Sequence, residues 1–232
     1  MVELPEPDEL GPIPGALARL AQAGASALAP LLDSNDSDTR YLALLTAGSL
    51  RYPEVVEGVL SGMFDLEPDI SSAARAAAST LKYLPQFQSR LPELREQLGA
   101  EDMLRRSLAA RALGVLHDRG AIEALIGLTG NDDELCAQSA AEALKEITRQ
   151  ANGTDEEAWR AWWERKRDQR RVEWLVDALE GNDFDVRLSA IEELSKAFGD
   201  NFGYFADGAA GDRVASVAAW RSAVEARPEL EL

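Results

Sequence analysis

A single cysteine, a single histidine and only four lysines occur in this chain, and each scarcity removes a class of chemistry. Cys136 has no possible partner, so no intrachain disulfide forms; between Leu135 and Ala137 on a helical pattern, it reads as a buried structural thiol rather than a nucleophile. His117 falls in a turn, and no HExxH, CxxC, glycine-rich phosphate loop or GxSxG motif is present. A metal site would have to be all-carboxylate. The nearest cluster, Asn131-Asp132-Asp133-Glu134, reads better as a helix cap with acids at the positive end of the dipole. The residues therefore offer no catalytic set, no metal site and no cofactor motif. No apolar run approaches the roughly 18–20 residues of a membrane-spanning helix. The start, Met1-Val-Glu-Leu-Pro-Glu6, has neither a basic n-region nor an apolar h-region. The expected location is the cytoplasm.

Positive charge is also scarce. Acids outnumber bases 41 to 24, and the net charge is −17. Binding to nucleic acid needs clustered Lys and Arg against phosphate, so this balance argues against it. It argues equally against an anionic membrane surface. A basic protein partner is favoured and would be steered in by the field, although the same charge also serves solubility. The one strong basic run, Arg165-Lys-Arg-Asp-Gln-Arg-Arg171, reads as a solvated helix junction; an acidic motif or phosphate is its alternative use.

What the chain has in abundance is a recurring helical phrase. Four copies read Arg40-Tyr-Leu-Ala43-Leu-Leu-Thr-Ala47, Arg106-Ser-Leu-Ala109-Ala-Arg-Ala-Leu113, Ala137-Gln-Ser-Ala140-Ala-Glu-Ala-Leu144 and Arg187-Leu-Ser-Ala190-Ile-Glu-Glu-Leu194. A degenerate fifth is Ala74-Arg-Ala-Ala77-Ala-Ser-Thr-Leu81. The anchor alanines step by 34, 32, 31 and then 50 residues. A period of about 20–50 residues is the mark of a solenoid, in which each unit buries its apolar face against the next. A small anchor lets helices approach closely, and the leucine one turn on fills the groove between them.

Apolar residues at i, i+3, i+4 and i+7 predict helices near 13–23, 25–33, 37–50, 53–63, 69–83, 87–99, 101–116, 119–129, 133–149, 155–168, 170–180, 184–198 and 211–226. Strand-like alternation is absent. The connectors Asp33–Asp38, Gly130–Asp133 and Gly181–Asp183 combine a glycine or asparagine stop with an Asp or Ser cap. Shorter links at Tyr52-Pro53 and His117-Asp118-Arg119-Gly120 close helix hairpins.

These residues resemble HEAT repeats, in particular the short bacterial HEAT-like repeats also found in phycobilisome lyase subunits. The stretch from Arg105 to Thr129 carries the likeness best, with an Arg/Ala-rich first helix, a Gly-Asp turn and a second helix reading Ala121-Ile-Glu-Ala-Leu-Ile126. The resemblance implies an all-α fold, an α-solenoid of stacked antiparallel helix pairs. Its expected plan is an extended acidic, proline-bearing lead over 1–12 and HEAT-like repeats over 13–150. Trp-helix elements with a further repeat follow over 151–232, continuous with the same solenoid. That last region contains a second duplication: Asn152-Gly153 followed by Trp159-Arg160, and Asn201-Phe-Gly203 followed, after 11 extra residues, by Trp220-Arg221.

Trp159, Trp162, Trp163 and Lys166 share one helical face; aromatics at this spacing usually bury area, and an aromatic groove is the alternative. Trp174 stands where Ala124 stands in the preceding unit, and is expected at the surface as an aromatic anchor. The resemblance further implies a concave side lined by second helices. On this chain that side carries Glu54, Glu57, Glu93, Glu96, Glu123, Glu173, Trp174 and Asp177, an acidic stripe suited to a basic protein partner. The expected function is a non-enzymatic scaffold or adaptor. Its alternatives are a bilin-lyase-like chaperone or enzyme taking a small ligand, and one module of a larger assembly. Paired His-Glu motifs of HEAT-like di-iron hydroxylases are absent, and a HEAT-like DNA glycosylase would need a basic groove.

Overall fold

Helix starts follow the aspartates. This computed structural model describes residues 4–231. In it the side chains of Asp36, Asp102, Asp133, Asp155 and Asp183 each accept a backbone N–H from the first turn of the helix that follows. Such a cap contributes about 1 kcal/mol. The helices are α1 (Pro12–Arg19), α2 (Gln22–Leu28), α3 (Ser37–Ala47), α4 (Val56–Gly62), α5 (Pro68–Leu81), α6 (Pro85–Gln88) and α7 (Leu91–Glu96). After them come α8 (Met103–Val115), α9 (Ile122–Thr129), α10 (Glu134–Thr148), α11 (Glu156–Lys166), α12 (Arg171–Ala178), α13 (Phe184–Phe198) and α14 (Ala210–Glu225). No strand occurs among the described residues, so the fold is all-α. No helix is long and apolar enough to cross a membrane.

The single helix expected over 87–99 is two, α6 and α7. Each carries a proline in its first turn, where the missing N–H would have had no partner anyway. Helix ends also differ from expectation. The glycine stops at Gly130 and Gly181 are not left-handed; Gly130 ends α9 at φ −87°. Left-handed backbone falls instead on His117 and Arg149, each at φ 53°, and on Gly199 at φ 73°.

The arginine that opens three of the repeat phrases has a local task that its period alone does not disclose. Arg40, Arg106 and Arg187 each donate from Nη1 to a carbonyl six residues earlier, on Ser34, Ala100 and Gly181, at 2.9, 3.0 and 2.8 Å. The guanidinium thus ties the connector to the helix it leads into. Its charge-assisted hydrogen bonds satisfy carbonyls left free by the turn.

Packing follows chain order. Helix α3 lies on α5, α5 on α8 and α8 on α10, while α4, α7 and α9 lie against α5, α8 and α10. The anchors Ala43, Ala77, Ala109, Ala140 and Ala190 are all buried, and so are Leu81, Leu113, Leu144, Leu194 and Ala47 one turn on. A close approach of α8 to α10 is marked by Gly114, where a methyl group would lie 2.8 Å from Cα of Ala143. Cys136 is buried, as its pattern implies, with Sγ 3.3 Å from the carbonyl of Met103. One apolar cluster runs from Ala25 to Trp174 and a second from Val172 to Val224, so the two meet on α12.

The lead is turned rather than extended. Leu10 N–H donates to Pro7 O at 3.2 Å, Asp8 pairs with Arg19 at 2.7 Å, and Leu4 packs on the first cluster. Residues 1–3 of the expected lead, and Leu232, lie outside the described residues. The Trp-element duplication is visible in the backbone. Gly153 and Gly203 are left-handed, at φ 55° and 69°, and Trp159 and Trp220 are fully buried. The copies differ at the indole. Trp159 Nε1 donates to Gly153 O at 2.8 Å, but Gly203 O accepts from Ser216 Oγ, and Trp220 Nε1 is buried without a partner.

Candidate functional site

The C-terminal ends of the first helices converge on a hollow of about 530 Å³. Lys82 follows α5, His117 follows α8 and Arg149 ends α10; Arg171 opens α12, and Glu193 and Lys196 lie on the last turns of α13. Arg51, Tyr83, Val115 and Ala197 complete its wall. Bases near helix C-termini are favoured by the dipole, as acids are at the N-termini. That is the local reason why an acidic chain concentrates cations here.

Two carboxylates organise the cations, Glu193 in the wall and Glu146 beside it. Glu146 takes both ends of Arg149, at 2.8 and 2.9 Å, and lies 3.8 Å from Nε2 of His117. Glu193 bridges Arg149 Nε at 2.6 Å and Arg171 Nη1 at 2.7 Å. Arg171 is buried and also donates from Nε to Ile147 O at 2.6 Å. This corrects the reading of the 165–171 run as a solvated junction: its last arginine is an internal fastener between α10, α12 and α13. Burial would raise both glutamates. The nearby His117 ring and the hydrogen bonds of Arg149 at Glu146, and the Arg171 charge beside Glu193, outweigh it and hold both carboxyls below their usual range.

Lys82 is the unusual member. It is only 8% exposed, and its ammonium lies 3.0 Å from His117 Nδ1. Burial and the neighbouring Arg171 pull its pKa down to about 8. Burial likewise holds His117 at about 4, so the ring is neutral at pH 7. The tautomer that fits carries its proton on Nε2, toward Glu146, and accepts from Lys82 on Nδ1. His117 and Arg149 both sit at left-handed positions, which cost a non-glycine residue roughly 1–2 kcal/mol. Strain of this kind persists where the side chain is held by its surroundings. Here Arg149 is held by Glu146 and Glu193, and His117 by Lys82.

The residues expected on an acidic second-helix face are not gathered in one place. Glu57 and Glu93 flank Arg90, at 3.3 and 3.1 Å, beside a hollow of about 220 Å³ that Phe64 and Arg105 also line. Glu123 accepts from Trp163 Nε1 at 3.1 Å over a second hollow, of about 280 Å³. Glu173 accepts from Arg170 N at 2.8 Å as the capping partner of α12, and Asp177 pairs with Lys166 at 2.6 Å; both line a third hollow of about 170 Å³. Glu54 accepts from Gln22 at 2.7 Å, and Glu96 is exposed. Arginine or lysine thus stands between most of these acids.

Trp174 is not at the surface. It is 0% exposed, edge-on to Trp162 with centroids 5.2 Å apart, and its Nε1 donates to Lys166 O at 2.9 Å. Arg119 covers its ring at 4.6 Å. The alignment with Ala124 fails because α11 brings Trp162 and Trp163 against this position, creating a slot that the earlier unit lacks. Trp159 and Trp162 are core, and Trp163 is the aromatic that reaches a hollow.

Sequence reasoning missed the hollow at the first-helix ends. A usable signal was present: Lys82, His117 and Arg149 each follow an anchor alanine by less than ten residues, just past the first helix. No group of three or more His, Cys, Asp or Glu among the described residues is placed to hold a metal ion.

No family model matches the chain, and no curated protein matches it. Among solved structures it is similar to the crystal structure of an engineered protein from the Northeast Structural Genomics Consortium. The two share 20% identity over 82% of this chain and 85% of that one, at a TM-score of 0.40. A superposition so loose carries no weight for fold or function.

Proposed function

We propose that the chain is a non-enzymatic scaffold, a HEAT-like solenoid that holds a basic protein segment along its second helices. The observation that carries this reading is a set of three hollows, between α4 and α7, between α9 and α11, and between α12 and α14. Each has an apolar floor and a carboxylate rim: Leu60 and Leu94 under Glu57 and Glu93, Ile126 under Glu123 and Glu164, Val176 and Val224 under Glu173 and Asp177. Packing in chain order supports the solenoid, because stacked repeats bury a continuous core and leave such grooves repeating on one side. A lysine- or arginine-bearing segment would replace Arg90 and Arg221 as the counter-ion of these acids. The contact therefore depends on salt, since exposed ion pairs are individually weak.

Affinity capture with the whole chain at low and moderate salt, read by mass spectrometry, tests the reading. The expected result is a basic protein retained at low salt and lost at moderate salt. A Glu57→Lys/Glu93→Lys/Glu123→Lys variant should keep its helical circular dichroism and lose the partner. An empty capture at both salts, or a partner indifferent to the triple variant, overturns the proposal.

A further inference from the structure

Four lysines occur in the chain, and two of them have carboxylate partners: Lys145 lies 3.6 Å from Asp183 and Lys166 lies 2.6 Å from Asp177. The other two, Lys82 and Lys196, line the hollow at the first-helix ends and pair with no carboxylate among the described residues. Arg51, on the same wall, has no carboxylate partner either. Glu193, the carboxylate that lines the hollow, is already taken by Arg149 and Arg171, and Glu146 beside it by Arg149. Lys82 does not serve as a helix cap, since its ammonium touches His117 and donates to no carbonyl. In a chain where acids outnumber bases 41 to 24, three cations without a carboxylate partner thus face one cavity.

We infer that this hollow binds a small organic anion, its phosphate or carboxylate head between Lys82, Arg51 and Lys196 and its apolar body on Tyr83. Tyr83 is 75% exposed, and its ring lies 5.4 Å from the Lys82 ammonium, so a flat group laid on that ring brings its charged end to the lysine. Val115 and Ala197 extend the apolar wall. The cavity volume suits a small molecule and falls within the ordinary range of ligand pockets, about 300–1,000 Å³. Bound charge compensates a buried ammonium that has no carboxylate partner, and linkage then requires the lysine to hold its proton more tightly in the complex. The groups facing Lys82 fix the sign: Arg171 and Arg149 repel its proton, Glu193 and Glu146 attract it, and His117 is neutral.

Calorimetric titration of the whole chain with phenyl phosphate, benzoate and inorganic phosphate tests this. Phenyl phosphate or benzoate should bind at least about fivefold more tightly than inorganic phosphate, and the better of the two identifies the head group. An Arg51→Glu/Lys196→Glu variant, changed only at exposed positions, should weaken binding by roughly tenfold or more. Repeating the titration at pH 8 in two buffers of different ionisation enthalpy should show uptake of up to about half a proton, and Lys82→Met should abolish that uptake. Absence of heat with all three probes at millimolar concentration overturns the inference. So does binding unchanged in the double variant, equal affinity for phenyl and inorganic phosphate, or binding without proton uptake.

Discussion

Replacing Lys82 by methionine should make the protein more stable, although it removes a buried side chain's only hydrogen bond. The ammonium is buried beside Arg171, and its pKa falls from 10.5 to about 8. At about 1.4 kcal/mol per pH unit, that gap costs the folded state about 3 kcal/mol wherever the lysine is charged in both states. Methionine keeps most of the stem volume and forfeits the contact with His117 Nδ1, about 1 kcal/mol. The net gain at pH 7 is about 2 kcal/mol. The sign with pH follows from the direction of the shift. Below about 8 the folded state carries the whole cost. Between there and 10.5 it sheds its proton before the unfolded chain does, so wild-type stability rises with pH. Above that range the cost is gone and only the lost hydrogen bond separates the two proteins. Urea unfolding followed by circular dichroism at pH 7 and pH 10 should therefore find the variant more stable at the lower pH and about equal to wild type at the higher. A variant destabilised at pH 7, or a difference independent of pH, would refute the reasoning.

Two further expectations rest on packing. Ala109→Leu should overfill a fully buried position on α8, and Gly114→Ala places a methyl group 2.8 Å from Ala143 Cα. Each should lower stability by ~1–3 kcal/mol in urea titration, the second despite alanine's better helix propensity; an unchanged midpoint in either would contradict the helix register. Trp159→Phe should cost more than Trp220→Phe, by about 1 kcal/mol, because only the first loses a satisfied indole hydrogen bond while the second removes an unpaired one. Equal losses in the two variants would show that the tryptophan elements are held alike, against the geometry.

The helices were legible because their signals are local. Anchor alanines recur, aspartates stand where N–H groups need an acceptor, and both properties act within one or two turns. The left-handed ends were not legible, because His117 and Arg149 occupy positions where glycine is the local preference. Arg149 is retained by Glu146 and Glu193, 3 and 44 residues away, and His117 by Lys82, 35 residues away. Trp174 misled for a related reason: aligning it with Ala124 assumes equal surroundings, and α11 makes them unequal. The acidic stripe was read one residue at a time, whereas Arg90, Lys166 and Arg221 come to its acids from other helices.

Net charge misleads in the same way. The value of −17 is an average over a molecule whose helices sort their charges by polarity. Asp36, Asp102, Asp133 and Asp183 cap the starts of first helices, while Lys82, His117, Arg149 and Lys196 lie at or beyond their ends. A first helix of 13 residues, such as α8, separates the two populations by roughly 20 Å at 1.5 Å per residue. The Debye length at physiological salt is about 8 Å. A ligand in the hollow is therefore largely screened from the acidic edge and responds to the cations around it. The overall balance bears on long charged polymers that must lie across the whole surface, as nucleic acid does. It leaves a small anion in this hollow free to bind.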